Sequence, residues 1–116
     1  MSAVAELAVP RAEAIASLND QLRETATGGT IMVTQGVLAI SGYNSPELAE
    51  ALAAYDAFDA DNDPHGERDF GDLTLWGEEM FWKIDYYDVD LKCGSDDPAN
   101  PDKTQRVLTV MLTSEW

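Results

Sequence analysis

The sequence predicts an α+β fold in which an antiparallel sheet of three to five strands carries two helices on one face. Two segments place apolar residues at helical spacing and predict helices. Four other segments are β-branched or alternate polar with apolar residues, which predicts strands. The order of these helices and strands lacks the regular alternation of a parallel βαβ fold. A chain of 116 residues with 45% hydrophobic content can bury a core without disulfides. We therefore expect a single acidic domain over residues 1–116, in which residues 1–9 either extend the first helix or form a flexible start.

The first helix is predicted from Pro10 to Ala26. Proline suits the first turn because its missing N–H would lack a helical partner there. We expect the helix to stop at Gly28-Gly29, since glycine tolerates the left-handed conformation that ends many helices. Its apolar stripe comprises Ile15, Leu18 and Leu22.

A second helix is predicted to begin at Ser45-Pro46, with Ser45 as the N-cap and Pro46 at the first helical position. It should end near Phe58, where turn-forming residues begin. Its apolar face comprises Leu48, Leu52 and Tyr55.

The first strand is predicted over Thr30 to Thr34, a β-branched and apolar segment. It either ends there or continues through Gly36 to Ile40, in which case the glycine marks a bulge or bend.

Three further strands follow, at Asp72 to Trp76, Met80 to Tyr87 and Arg106 to Thr113. The first two should form a hairpin with a turn at Gly77-Glu78. Alternation in the middle strand predicts two faces, with Met80, Trp82, Ile84 and Tyr86 on one and Phe81, Lys83, Asp85 and Tyr87 on the other.

The charge balance excludes several classes of partner. A formal net charge of −15 repels nucleic acid and anionic membranes, because both need Lys and Arg for binding. The single cysteine, Cys93, cannot form an intrachain disulfide, so the fold does not need an oxidising compartment. The N-terminus lacks the basic region of a secretory signal, and no apolar run reaches the roughly 18 residues of a membrane span. We therefore expect a cytoplasmic protein that binds neither nucleic acid nor membranes directly.

The acidity is concentrated between Asp56 and Asp102, a segment with fifteen acidic and three basic residues. It overlaps two polar loops, Asp59 to Asp69 and Cys93 to Lys103. Our leading hypothesis is a non-enzymatic DNA mimic that blocks a basic surface of a nucleic-acid-handling complex, as anti-CRISPR and antirestriction inhibitors do. The expected partner-binding residues are Asp59, Asp61, Asp63, Glu67, Asp69, Asp96 and Asp97.

Two alternatives stay open. The first is a metal-binding module or metal-assisted hydrolase that uses the 59–69 loop, although the loop fails as an EF-hand because Pro64 stands where glycine is needed and Phe70 where glutamate is needed. Its candidate residues are Asp61, Asp63, His65, Glu67 and Asp69. The second is an interaction domain whose acidity only maintains solubility. Neither a resident metal or cofactor nor a catalytic residue is predicted.

Three segments carry a resemblance to a known family: DNDPHGERDFG at 61–71, FWKIDYYD at 81–88 and RVLTVML at 106–112. The chain resembles a family of short acidic proteins of unknown function found mainly in alphaproteobacterial chromosomes and plasmids, with similarity from about Leu18 to the C-terminus. The resemblance implies no activity, and its mobile-element setting suits an anti-defence role. Relatives carry a histidine where this chain has Arg68, which weakens a Glu-His-Asp catalytic reading.

Overall fold

The computed structural model describes residues 10–116, so the expectation for residues 1–9 lies outside the described residues. The predicted α+β class is confirmed. None of the helices in this part of the chain is long and apolar enough to cross a bilayer. The helices are α1 (Arg11–Thr25), α2 (Gln35–Leu38) and α3 (Ser45–Ala54), and the strands are β1 (Thr30–Val33), β2 (Phe70–Leu75), β3 (Glu78–Tyr87) and β4 (Gln105–Leu112).

The four strands of residues 10–116 form one sheet in the order β1-β4-β3-β2. The β2–β3 and β3–β4 pairs are antiparallel, but β1 runs parallel to β4, with Thr30 opposite Val107. The sheet is therefore mixed rather than wholly antiparallel. The first and last strands pair across most of the sequence, and local patterns carry no signal for such a pairing.

The core lies between one face of the sheet and the helices. Met80, Trp82 and Ile84 alternate inward along β3, as the sequence predicts, and pack with Leu22 of α1 and Leu52 of α3. Each such side chain contributes about 1.5–3 kcal/mol when fully removed from water. All three α-helices of residues 10–116 contribute side chains to this core, so none of them covers the opposite face of the sheet.

The C-terminus of α1 differs from the prediction. The C-cap is Ala26, which adopts the left-handed conformation with φ of 59° and donates its N–H to the carbonyl of Leu22. Gly28 also has a positive φ, of 80°, but lies beyond the end of the helix. Gly29 has another role, because a Cβ there would lie 2.6 Å from the carbonyl oxygen of Arg106. Glycine is therefore needed for the close approach of this turn to β4.

The predicted continuation of the first strand through Gly36 to Ile40 is wrong. Thr34 ends the strand and caps α2 by accepting a hydrogen bond from the N–H of Val37 at 3.4 Å. The side chain of Val37 is fully buried in the core. A short helix both accepts the cap at Thr34 and directs the side chain of Val37 into the core directly after the strand.

The boundaries of the second predicted helix also move. Asn44, rather than Ser45, is the N-cap and accepts from the N–H of Glu47 at 3.0 Å. The helix ends at Ala54, well before Phe58.

The buried guanidinium of Arg23 binds the C-terminal end of α3, where it donates to the carbonyls of Leu52, Ala53 and Tyr55.

The hairpin is confirmed, but its turn lies one residue earlier than predicted. Trp76 and Gly77 occupy the two central positions with φ of 55° and 78°, the combination that defines a type I′ turn. The ring of Trp76 packs edge-on against Tyr43, with centroids 5.5 Å apart. Tertiary packing therefore holds a bulky residue in a conformation it seldom adopts alone.

Candidate protein-binding site

The two acidic loops lie at the same end of the sheet. Residues 56–69 lead into β2, and residues 88–104 connect β3 to β4. Because these strands are antiparallel, the start of β2, the end of β3 and the start of β4 lie toward the same end of the sheet. We call these two loops the acidic end. It contains all seven predicted partner-binding residues: Asp59, Asp61, Asp63, Glu67, Asp69, Asp96 and Asp97.

A buried polar network holds the first loop. Asn19 of α1 is 0% exposed, and its amide nitrogen donates to the Tyr86 hydroxyl at 2.8 Å and to the Glu67 carbonyl at 3.0 Å. The Tyr86 hydroxyl in turn donates to the Glu67 carboxylate at 2.8 Å. Burial raises the pKa of Tyr86, so the phenol stays protonated as a donor. Glu67 is thus held against the body of the protein by both its backbone and its side chain.

Arg106 extends this network to the second loop. It is only 2% exposed, its Nε donates to the Asn19 side-chain oxygen at 2.9 Å, and its Nη2 donates to the Pro98 carbonyl. Its guanidinium carbon also lies 5.2 Å from the centroid of the Tyr86 ring. Burial lowers the pKa of Arg106 from its ordinary value. One interior arginine therefore connects the two acidic loops.

Sequence reasoning missed this network. Arg106 lies on the same face of its strand as Leu108 and Val110, which is the buried face. An arginine at a buried strand position indicates a buried polar network, because buried arginines need hydrogen-bond partners. Asn19 gives a similar signal, because it lies at helical spacing from Ile15 and Leu22 and therefore interrupts the predicted apolar stripe.

The first acidic loop is ordered by its own side chains. One carboxylate oxygen of Asp59 accepts from the N–H groups of Asp61 and Asn62 at 2.9 and 3.0 Å, the arrangement of an Asx turn. Asp63 accepts from the N–H of Arg68 at 2.9 Å. The exposed side chain of Asp61 has no hydrogen bond within the described part of the chain. The loop thus presents carboxylates from a fixed backbone.

The metal-site alternative gains no support from this geometry. Among residues 10–116, no group of three or more His, Cys, Asp or Glu side chains is arranged to hold a metal ion. Asp59 and Asp63 instead direct oxygens to their own loop backbone.

The arginines neutralise acids elsewhere. Arg68 extends from the first loop to α1, where it binds Asp20 at 2.8 Å and Glu13 at 3.3 Å. The hydrogen bonds that Arg68 donates to the Asp20 carboxylate raise the pKa of Arg68. Arg23 is buried and also pairs with Asp20, at 3.2 Å.

Few cations remain for the acidic end. Of its seven predicted partner-binding residues, only Asp97 has an ion pair within residues 10–116, and that contact with Arg11 is long at 3.9 Å. Lys92 and Lys103 lie on the second loop, are exposed and pair with no carboxylate of the described chain. Most of the loop carboxylates therefore keep their charge uncompensated.

An aromatic cluster lies on the helix-free face next to this end. Phe70, Phe81 and Trp116 contact one another with ring centroids 5.2–5.5 Å apart. The prediction that Phe81 lies on the strand face opposite Met80, Trp82 and Ile84 is confirmed. Trp116 is 69% exposed.

A single turn of 3-10 helix, Thr113–Glu115, carries Trp116 back over the sheet. The Glu115 carboxylate accepts from the Thr34 hydroxyl at 2.7 Å and from the N–H of Leu112 at 2.8 Å. The Thr34 hydrogen bond, more than any other contact, lowers the pKa of Glu115. Gly36 gives this carboxylate room, because a Cβ there would lie 2.7 Å from its oxygen.

A shallow cavity of about 370 Å³ lies between the aromatic cluster and the first acidic loop. Burial raises the pKa of Asp69. Its carboxylate has no ion pair among the described residues, whereas Asp85 is paired with Lys83 at 2.9 Å. The cavity is lined by Pro64, His65 and Asp69 from the loop and by Phe70, Lys83, Asp85 and Trp116 from the sheet face.

Comparison with known proteins relates the chain to one family. Curated proteins and solved structures give no match. A family model described as "Protein of unknown function (DUF3768)" matches residues 33–115, a span that includes both acidic loops and three of the four strands. The match covers well over half of the sequence, and the chain therefore belongs to the DUF3768 family of proteins of unknown function.

Proposed function

We propose that this protein is a non-enzymatic inhibitor that acts in the bacterial cytoplasm. In this proposal its acidic end occupies the basic, nucleic-acid-binding surface of another protein and competes with DNA or RNA. One observation carries the proposal: two carboxylate-rich loops lie at one end of the sheet, while Arg23, Arg68 and Arg106 are committed to other contacts.

The charge arrangement favours such a partner for a physical reason. Like charges held together on one surface repel each other and lower the stability of the fold. A basic surface that evolved for duplex DNA, with about one negative charge per 1.7 Å of axis, relieves that repulsion when it binds carboxylates. The charges also steer the partners together, which gives fast association that weakens with salt.

The biological setting belongs to the same proposal. The resemblance to proteins of chromosomes and plasmids suggests a mobile-element context, in which restriction and CRISPR nucleases are natural targets. Their DNA-binding channels are lined with lysine and arginine.

A cleavage assay tests the proposal. Purified restriction endonucleases and Cas effector nucleases cut plasmid DNA in the presence of increasing amounts of the protein, at low and at moderate salt. We expect inhibition of at least one nuclease, with a loss of at least about tenfold in potency as ionic strength shortens the range of the charges.

A matched pair of variants locates the effect. Asp61→Asn with Asp96→Asn removes two exposed charges from the acidic end, and Glu78→Gln with Glu79→Gln removes two exposed charges at the hairpin, the opposite end of the sheet. The first pair should weaken inhibition by about tenfold, at roughly 0.7 kcal/mol per lost charge contact, and the second by less than about twofold. Equal effects would favour acidity that serves only solubility, and no inhibition by the unmodified protein at low salt would contradict the proposal.

A further inference from the structure

We propose that the cavity between the first acidic loop and Trp116 binds an arginine side chain of the basic partner. The inference rests on the proposed function and adds the chemistry of the residue that the partner inserts. The cavity borders the acidic end directly, since Pro64, His65 and Asp69 belong to both. A partner drawn to the carboxylates would therefore meet this cavity in the same contact.

The aromatic wall suits a guanidinium group. The Trp116 ring is 69% exposed, and Phe70 packs against it with ring centroids 5.3 Å apart. Cations bind the faces of aromatic rings, and tryptophan gives the strongest such interaction. Arginine favours this environment more than lysine because its planar, weakly hydrated guanidinium stacks on rings.

The carboxylate at the cavity supplies the second half of the recognition. Asp69 is half-buried and has no ion pair among residues 10–116, so its charge is partly withdrawn from water without a counterion. The raised pKa of Asp69 reflects that cost of burial. A guanidinium in the cavity would supply the missing counterion and two or more hydrogen-bond donors.

The other charged side chains that line the cavity determine the sign of its net charge. Lys83 also lines it, but its ammonium pairs with Asp85 at 2.9 Å, which leaves Asp69 as the carboxylate without a cation. A volume of about 370 Å³ is ample for one side chain. Size, aromatic wall and net negative charge together fit arginine better than an apolar or acidic group.

The test compares two peptides of equal length and charge, hexa-arginine and hexa-lysine, by calorimetric titration of the full chain at low salt. We expect hexa-arginine to bind about tenfold more tightly, because the planar, weakly hydrated guanidinium stacks on aromatic rings more favourably than an ammonium group does. Hexa-arginine should also shift the NMR resonance of the Trp116 indole N–H more than hexa-lysine does.

Three variants separate the cavity from general charge. Trp116→Leu keeps apolar cover over the sheet but removes the ring, and Asp69→Asn removes the unpaired carboxylate. Both should reduce the preference for arginine to less than about twofold, equivalent to under 0.4 kcal/mol. Asp96→Asn is the charge-matched control for Asp69→Asn and should weaken both peptides equally.

The outcomes also distinguish this inference from the proposed function. Equal affinities of the unmodified protein for the two peptides, or a preference that survives Trp116→Leu, would overturn the arginine cavity and leave the acidic-end proposal standing. Failure of both peptides to bind at low salt would overturn both.

Discussion

The buried Arg106 has a demanding environment for a charged residue. Arg106 is buried, and its guanidinium donates to two neutral acceptors, the Asn19 side-chain oxygen and the Pro98 carbonyl, instead of a carboxylate. The face of the Tyr86 ring supplies further negative potential. Burying a charge without its hydrogen bonds is costly, so each of these partners should matter for stability.

Asn19→Ala tests this expectation. The change removes the acceptor for Arg106 and the donor to Tyr86, and we expect the free energy of unfolding to fall by about 3 kcal/mol. Tyr86→Phe removes only the hydroxyl and should cost about 1 kcal/mol. Urea denaturation followed by circular dichroism measures both.

The control for Asn19→Ala is Ser17→Ala, on the exposed side of the same helix. Its effect should stay within about 0.5 kcal/mol. Both substitutions raise helix propensity, so a loss at Ser17→Ala as large as that at Asn19→Ala would mean that replacing any polar residue of this helix destabilises the protein, and would contradict the role of the network.

At the scale of elements, alternation predicted β2, β3 and β4 to within two residues at their ends. A period of two is a strong signal when one face is buried, as Met80, Trp82 and Ile84 illustrate. The strand predicted as a continuation over residues 35–40 was wrong because a short apolar run fits a buried strand and a buried helical turn equally well. The cap at Thr34 decides between them, and its partner Glu115 lies 81 residues away.

The candidate site was predictable in part for the same reason. The acidic loops are visible as composition, and the antiparallel hairpin implies that they share an end of the sheet. The cavity was not predictable, because it depends on Trp116 folding back over Phe70 and Phe81. That return depends on the distant contact between Glu115 and Thr34.

Strand β2 forms one edge of the sheet, which gives its amides alternating environments. Ile84 N–H donates to the Asp69 carbonyl at 2.8 Å, so this pair and every second pair along the register are hydrogen-bonded. By NMR hydrogen exchange, amides that point to β3 should be at least about tenfold more protected than those at the free edge, equivalent to about 1.4 kcal/mol. The protected set is Gly71, Leu73 and Leu75, and the free set is Phe70, Asp72 and Thr74.

Uniform protection along β2 would contradict this pattern. It would mean that another segment or a second copy of the chain pairs with the edge in solution. The amide of Ile84 on β3 serves as the internal reference, because its hydrogen bond is part of the ladder.

For the whole molecule, the dominant feature is a net charge of −15. Salt shortens the range of the repulsion, so raising NaCl from about 0.02 M to about 0.5 M should stabilise the fold. We expect a gain of about 1 kcal/mol, seen as an increase of roughly 5 °C in Tm. Thermal unfolding followed by circular dichroism at several salt concentrations measures it.

The variant Asp61→Asn with Asp96→Asn should gain less from salt, because its acidic end carries less charge to screen. A Tm that is unchanged or lowered by salt would show that the carboxylates do not repel one another appreciably.

The connection through Arg106 has a consequence for how this molecule can evolve. The shape of the acidic end is fixed by the buried Asn19 and Arg106 and the partly buried Tyr86, whereas Asp61 and Asp96 lie at the surface outside those contacts. Surface carboxylates can therefore be gained, lost or moved without disturbing the scaffold. A lineage could redirect the protein to a differently shaped target by single substitutions, and few backbone torsions would have to be ordered on docking.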